Sequence, residues 1–155
     1  MNVAAIDPGN DGAYAIYNGK DTWVQKNYAD GTTDPRPMVL DMLSAGVKKV
    51  LIEDISGGGA TSQTAAIQWG RIKQCLIVNN IGVEKVHPST WKAFFKIRGT
   101  KEESAKDKKA RSINLARELF PTISLRPTER SKVDSNDFAE ALLILNWGIR
   151  TGALR

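Results

Sequence analysis

Five acidic residues fall where carboxylates are costly to keep. Asp7 ends the apolar run Val3-Ala4-Ala5-Ile6 and is followed at once by Pro8-Gly9. Glu53 ends a second apolar burst, Val50-Leu51-Ile52. Asp137 and Glu140 are spaced i, i+3 at the front of DSNDFAEALLILNWGIR, and Asp134 lies one turn earlier. A buried charge is unfavourable unless it is paired or metal-bound. Like charges on one helix face repel, and a divalent cation relieves that repulsion. Each acid also has a plainer use. Asp7 could cap a turn, and Asp134 or Asp137 could cap a helix and complement its dipole. The metal chemistry is narrow. One histidine, His87, and one cysteine, Cys75, exclude a multi-histidine or cysteine-based site within one chain. Carboxylates favour hard cations such as magnesium or manganese. Three or four convergent acids match a two-metal phosphodiester site.

The elements that must position these acids follow from hydrophobic pattern and turn chemistry. Strands are expected near 2–7, 12–17 and 22–28, joined by tight turns into an antiparallel meander. A helix follows near 37–45, with Met38, Val39, Met42 and Leu43 on its apolar side and Gly46 at its end. The segment Lys48–Ile55 contains a strand buried on both faces. A loop at Ser56-Gly57-Gly58-Gly59 leads to a helix capped by Thr61 or Ser62 and running to about Asn80. A short strand near 83–86 precedes a helix opened by Pro88, with Trp91, Phe94 and Phe95 as core residues. Helices are then expected near 102–119, stopped by Pro121, and near 134–150, with Gly152 beyond. The order β-β-β-α-β-α-β-α-α-α indicates a mixed sheet with helices on both faces. Asp7 and Glu53 would end parallel neighbouring strands at one edge, where ligand sites form. The last helix would add its acids across that edge.

Composition sets the bounds. The chain has 155 residues, 41% hydrophobic and 25% charged, which suits one domain over 1–155. No apolar run approaches the roughly 18 residues that span a bilayer. Nothing at the N-terminus resembles a signal peptide, and a lone cysteine fits a reducing compartment, so a cytoplasmic protein is expected. Lys plus Arg total 22 against 17 acids, and the net charge is +5. Much of this excess lies between Lys92 and Arg111, interleaved with Glu102, Glu103 and Asp107. Such a run is either a solvated helix surface or part of a polyanion-binding face.

Taken together, these stretches resemble a known family. Asp-Pro-Gly after an apolar strand, an apolar strand ending in Glu, and a final helix of the form D-x-x-[DE]-A-L are similar to the RuvC-type Holliday-junction resolvases, of the ribonuclease H-like superfamily. The resemblance runs through essentially the whole chain. It includes the helix Ser62–Leu76, PSTWK at 88–92, and the lysine-bearing helix ending in Leu119-Phe120-Pro121. It implies an α/β, ribonuclease H-like five-stranded mixed sheet: a three-strand antiparallel meander plus two parallel strands, helices on both faces. It implies a magnesium-dependent endodeoxyribonuclease that resolves four-way and related branched DNA, with two Mg2+ ions for which Mn2+ can substitute. A homodimer is implied by the symmetric junction, with the 62–77 helix as its face. The compact chain would suit a phage or mobile element.

Carried over residue by residue, Asp7 matches the first acid, Glu53 the second, and Asp137 and Glu140 the final pair. Glu140 departs from the usual Asp; a slip of one turn would make the pair Asp134 and Asp137. Lys109 matches the basic residue beside the scissile phosphate, with Lys108 next. Lys92 matches a lysine that touches backbone phosphate. Lys96, Arg98, Lys101, Lys108 and Arg111 complete the expected DNA-facing set. Some relatives place an aromatic wedge after the second acid. Here Ser56 and three glycines follow instead, which implies broader tolerance of branched DNA. His87 reads as a strand-end hydrogen-bonding residue, and Trp69 and Trp91 as core or subunit interface. Two other functions share these residues: a ribonuclease H-like nuclease acting on RNA–DNA hybrid or flap, and a non-catalytic branched-DNA-binding protein. An actin-like nucleotide-binding fold would need about twice this length.

Overall fold

The computed structural model describes residues 1–9, 11–28, 31–55 and 63–155. Ser56, the glycines after it and the Thr61 or Ser62 cap lie outside the described residues. The described strands are β1 (Val3–Asp7), β2 (Ala13–Tyr17), β3 (Thr22–Lys26), β4 (Lys49–Glu53) and β5 (Gly82–Val86). The helices are α1 (Arg36–Ser44), α2 (Gln63–Val78), α3 (Pro88–Phe94), α4 (Ala105–Leu119) and α5 (Asn136–Thr151). The sheet order is β3-β2-β1-β4-β5. The pairs β1–β2 and β2–β3 are antiparallel, and β1–β4 and β4–β5 are parallel. This is the five-stranded mixed sheet expected from the sequence.

Strand alternation sorts the apolar residues into two layers. Val3, Ala5 and Leu51 pack with α5 and its neighbours on one face. Ala4, Ile6, Val50 and Ile52 pack with α1 and α2 on the other. The β1–β4 register pairs Val3 with Lys49 and Ile6 with Ile52. One residue further, it sets Asp7 beside Glu53. Both continue the odd-numbered alternation, so both belong to the face that α5 covers. The buried α5 residues include Phe138, Ala139 and Ala141 to Leu145, and the helix lies across β1 and β2 and against α4.

Helix ends explain where the structure departs from the expected boundaries. Ser104 caps α4: its side chain accepts from the Asp107 amide, and its Oγ donates to Asp107 Oδ2 at 2.6 Å. Glu102 and Glu103 therefore precede the helix. Ser135 caps α5 by accepting from the Phe138 amide, and Gly152 closes it at φ 80° in the left-handed region. Asp134 thus lies before α5 and not on the helical face with Asp137 and Glu140. Phe94, expected in the core, is 44% exposed, because α3 is short and only Trp91 points fully inward. Leu43 is likewise exposed, while Met38, Val39 and Met42 are buried. No helix among the described residues is long and apolar enough to cross a membrane.

Candidate active site

The turn after β1 aims Asp7. The Gly12 amide donates to Gly9 O at 3.1 Å, and the Asn27 amide to Gly12 O at 2.9 Å. Asn27 Nδ2 donates to Asp7 O at 2.7 Å, with Asn27 itself buried. A Cβ on Gly12 would stand 2.2 Å from Asp7 O and 2.6 Å from Gly9 N. Only glycine admits that approach, so the turn that ends β1 is fixed by backbone contact.

Glu53 is held by two indoles. Trp69 Nε1 donates to Glu53 O at 3.1 Å, and Trp91 Nε1 donates to Glu53 Oε2 at 2.7 Å. Trp91 is fully buried. A buried indole N–H needs an acceptor, and here it finds the carboxylate. Beside it on α3, Lys92 Nζ lies 3.0 Å from Glu140 Oε1. Ser112 Oγ of α4 donates to the same oxygen at 3.2 Å. Adjacent residues of one short helix therefore hold different acids, one from β4 and one from α5.

The acids share one electrostatic field. Burial pushes the Asp7 carboxyl well above its usual range, and the charges of Glu53, Glu140 and Asp137 push it further; Lys92 opposes them. Burial pushes Glu53 up to about 7, reinforced by Glu140 and opposed by the Trp91 hydrogen bond and Lys92. Burial also raises Asp137, with Glu140 adding to it, Lys109 opposing, and Asp11 adding further. Asp7, Glu53, Asp137 and Glu140 are thus brought together, with Lys92 among them and Lys109 beside Asp137. As placed, no three acid, histidine or cysteine side chains among the described residues stand close enough to hold an ion; Glu53 and Glu140 are engaged by Trp91, Lys92 and Ser112 instead.

Asp134 is placed elsewhere. Arg117 donates to its Oδ2 through Nε at 2.8 Å and reaches it through Nη2 at 2.7 Å, with Arg126 at 3.9 Å from Oδ1. It forms a structural ion pair outside the group of four.

The basic run divides in two. Lys92, Lys108, Lys109, Ser112, Asn136 and Glu140 line a cavity of about 320 Å³ beside the acids. Lys108 lays its aliphatic stem over Gly99. Lys96 and Lys101 are exposed. Arg98 instead donates to Ser89 O through Nε and Nη2, at 2.9 and 2.6 Å. Arg111 donates to Arg98 O at 2.9 Å and pairs with Glu103. These two arginines brace the segment between α3 and α4. A larger groove, about 790 Å³, runs along β3 past Trp23 and Arg126 and contains none of the four acids.

Sequence reasoning missed several participants. Trp91 lies in the core and Trp69 packs against it, in line with the core-or-interface expectation; their added contacts to Glu53 follow from the obligation of a buried indole to find an acceptor. Ser112, Asp11 and Asn27 carried no local signal. His87 does serve as a hydrogen-bonding strand end: it caps α3 by accepting from the Ser89 amide.

No protein-family model matches the chain, and no curated protein sequence does. Solved structures do. The chain is similar to a Thermus thermophilus RuvC structure at TM-score 0.56 and 16% identity, over 98% of this chain and 97% of that one. It is also similar to T. thermophilus RuvC in complex with Holliday junction substrate, at TM-score 0.51 and 19% identity, over 98% and 96%. From its first strand to its last helix, the chain has the fold of RuvC.

Proposed function

We propose that the protein is a divalent-cation-dependent endonuclease that resolves Holliday junctions and related branched DNA, working as a homodimer. One observation carries this reading: acids from β1, β4 and α5 lie near enough to one another at the carboxyl edge of the sheet that Glu53, Glu140 and Asp137 add to the effect of burial in raising the Asp7 carboxyl. The fold supports it, since a similar structure was solved with Holliday junction substrate.

The donor set fits a hard cation. It is made of carboxylates alone, and burial first, then repulsion among them, leaves Asp7, Glu53 and Asp137 in want of positive charge. Asp7, Glu53, Asp137 and Glu140 would hold it, and two magnesium ions bound there would supply an activated water and charge stabilisation for the leaving oxygen. The placement of Asp134 against Arg117 favours Glu140 as the fourth ligand. The chain's own residues do the rest. Lys109, beside Asp137, offers positive charge to the scissile phosphate. Lys108 and Lys92 flank the same cavity, and Lys96 and Lys101 extend the basic surface outward. Arg98 and Arg111 shape that surface by bracing the α3–α4 segment.

The test is cleavage of four-way, three-way, flap and RNA–DNA hybrid substrates with magnesium, manganese or chelator. Paired symmetric nicks in branched DNA, lost with chelator and in Asp7→Asn, are expected. Preferential cutting of hybrid would overturn the substrate assignment. Retained cutting by Asp7→Asn would overturn the site.

A further inference from the structure

Lys92 holds a position that a metal ion would contest. Its ammonium lies 3.0 Å from Glu140 Oε1, and both side chains are sheltered, at 29% and 12% exposure. It also opposes the charges at Asp7 and Glu53. One lysine therefore pairs directly with Glu140 and offsets a small part of what raises Asp7 and Glu53. The ammonium is itself anchored 4.8 Å from the Trp91 ring centroid, and Ser112 donates to the same Glu140 oxygen.

We propose that the Lys92–Glu140 pair is a latch: Lys92 competes with the divalent cation for Glu140, and cation entry releases it. This rests on the four acids being the metal site. A cation that draws the Glu140 carboxylate toward Asp7 would move Oε1 away from the ammonium it now meets at 3.0 Å. The freed Lys92 already lines the cavity shared with Lys108 and Lys109, where a DNA phosphate would replace the carboxylate as its partner. Metal and DNA then cease to compete for charge: the ion takes the carboxylate, and the phosphate takes the lysine. Such linkage makes each ligand favour the other.

Direct Mn2+ binding to the full chain, without DNA, tests this by the electron paramagnetic resonance of free Mn2+. Lys92→Met is expected to tighten Mn2+ binding about fivefold or more, while Lys92→Arg stays near wild type. Unchanged or weaker binding in folded Lys92→Met overturns the latch. Should that variant fail to fold, the 15N resonance of the Lys92 ammonium decides in the wild type. Saturating Mg2+ is expected to move it out of its ion-paired position, and an unmoved resonance overturns the latch. Asp7→Asn separates the two levels of the argument. It should weaken Mn2+ binding whatever Lys92 does; Mn2+ binding indifferent to Asp7→Asn would overturn the metal site itself, and the latch with it.

Discussion

Trp91 Nε1 donates to Glu53 Oε2 at 2.7 Å, joining the core of the protein to the second acid of the site. The indole engages one carboxylate oxygen, Oε2. The hydrogen bond also favours the ionised form of Glu53. Trp91→Phe keeps most of the volume and removes the donor. The apparent pKa of Glu53 should then rise, moving the acidic limb of the cleavage-rate profile to higher pH. A loss of about 1–3 kcal/mol in stability is expected as well, from the cavity and the lost hydrogen bond. Stability loss with an unmoved pH profile would reduce Trp91 to a filler of space.

The buried acids make stability fall with rising pH. Glu53 has a folded pKa of about 7 against an ordinary value of 4.5. Between those values the folded chain binds more protons than the unfolded chain, so each step up in pH costs stability. The penalty is absent below about 4.5 and complete above about 7. In chelator, Glu53→Gln should therefore melt higher than wild type at pH 8, by about 2–6 °C. The advantage should vanish near pH 4. A uniform difference across this range would contradict the assignment.

Gly12 is predicted to tolerate no side chain. The added Cβ of Gly12→Ala would meet backbone atoms of Asp7 and Gly9, which cannot swing aside. A loss of about 2–4 kcal/mol is expected, measurable by denaturant titration. Cleavage should fall even at temperatures where the variant stays folded, because the turn sets the direction of Asp7.

Asp134 and Glu140 should part company. If Glu140 holds the metal as proposed, Glu140→Gln should lower cleavage by about a thousandfold or more. Asp134→Asn breaks a pair whose arginine is 61% exposed, so about 1 kcal/mol of stability is at stake and cleavage should change little. Equal loss of activity in both, with both folded, would return Asp134 to the site.

The two kinds of basic residue should separate by salt dependence. Lys101→Ala should weaken junction binding and flatten its salt slope by about one ion. Arg98→Ala should first destabilise the α3–α4 segment, seen as faster amide exchange there, since its guanidinium is spent on Ser89 O.

Much of this was legible in the sequence because it depends on local pattern. The apolar runs ending in Asp7 and Glu53 became parallel neighbouring strands, and the apolar middle of α5 became a buried helix. What escaped depends on caps and on distant partners. Ser104 and Ser135 moved two helix starts by a few residues, and that shift took Asp134 off the helix. No spacing in the chain announces that Trp91 meets Glu53, or that Arg117 meets Asp134; those are meetings of residues 38 and 17 positions apart.

The register of β1 against β4 fixes the length of both strands more tightly than their composition. Both strands are apolar on both faces, with Ala4, Ile6, Val50 and Ile52 buried on one side and Val3, Ala5 and Leu51 on the other. Either strand could exchange one small aliphatic residue for another with modest effect. Neither could gain or lose a residue. A single insertion before Asp7 or Glu53 would rotate that carboxylate through to the α1–α2 side, leaving a folded sheet with its acids on opposite faces. Among descendants of this chain, these strands should drift freely in composition and hardly at all in length.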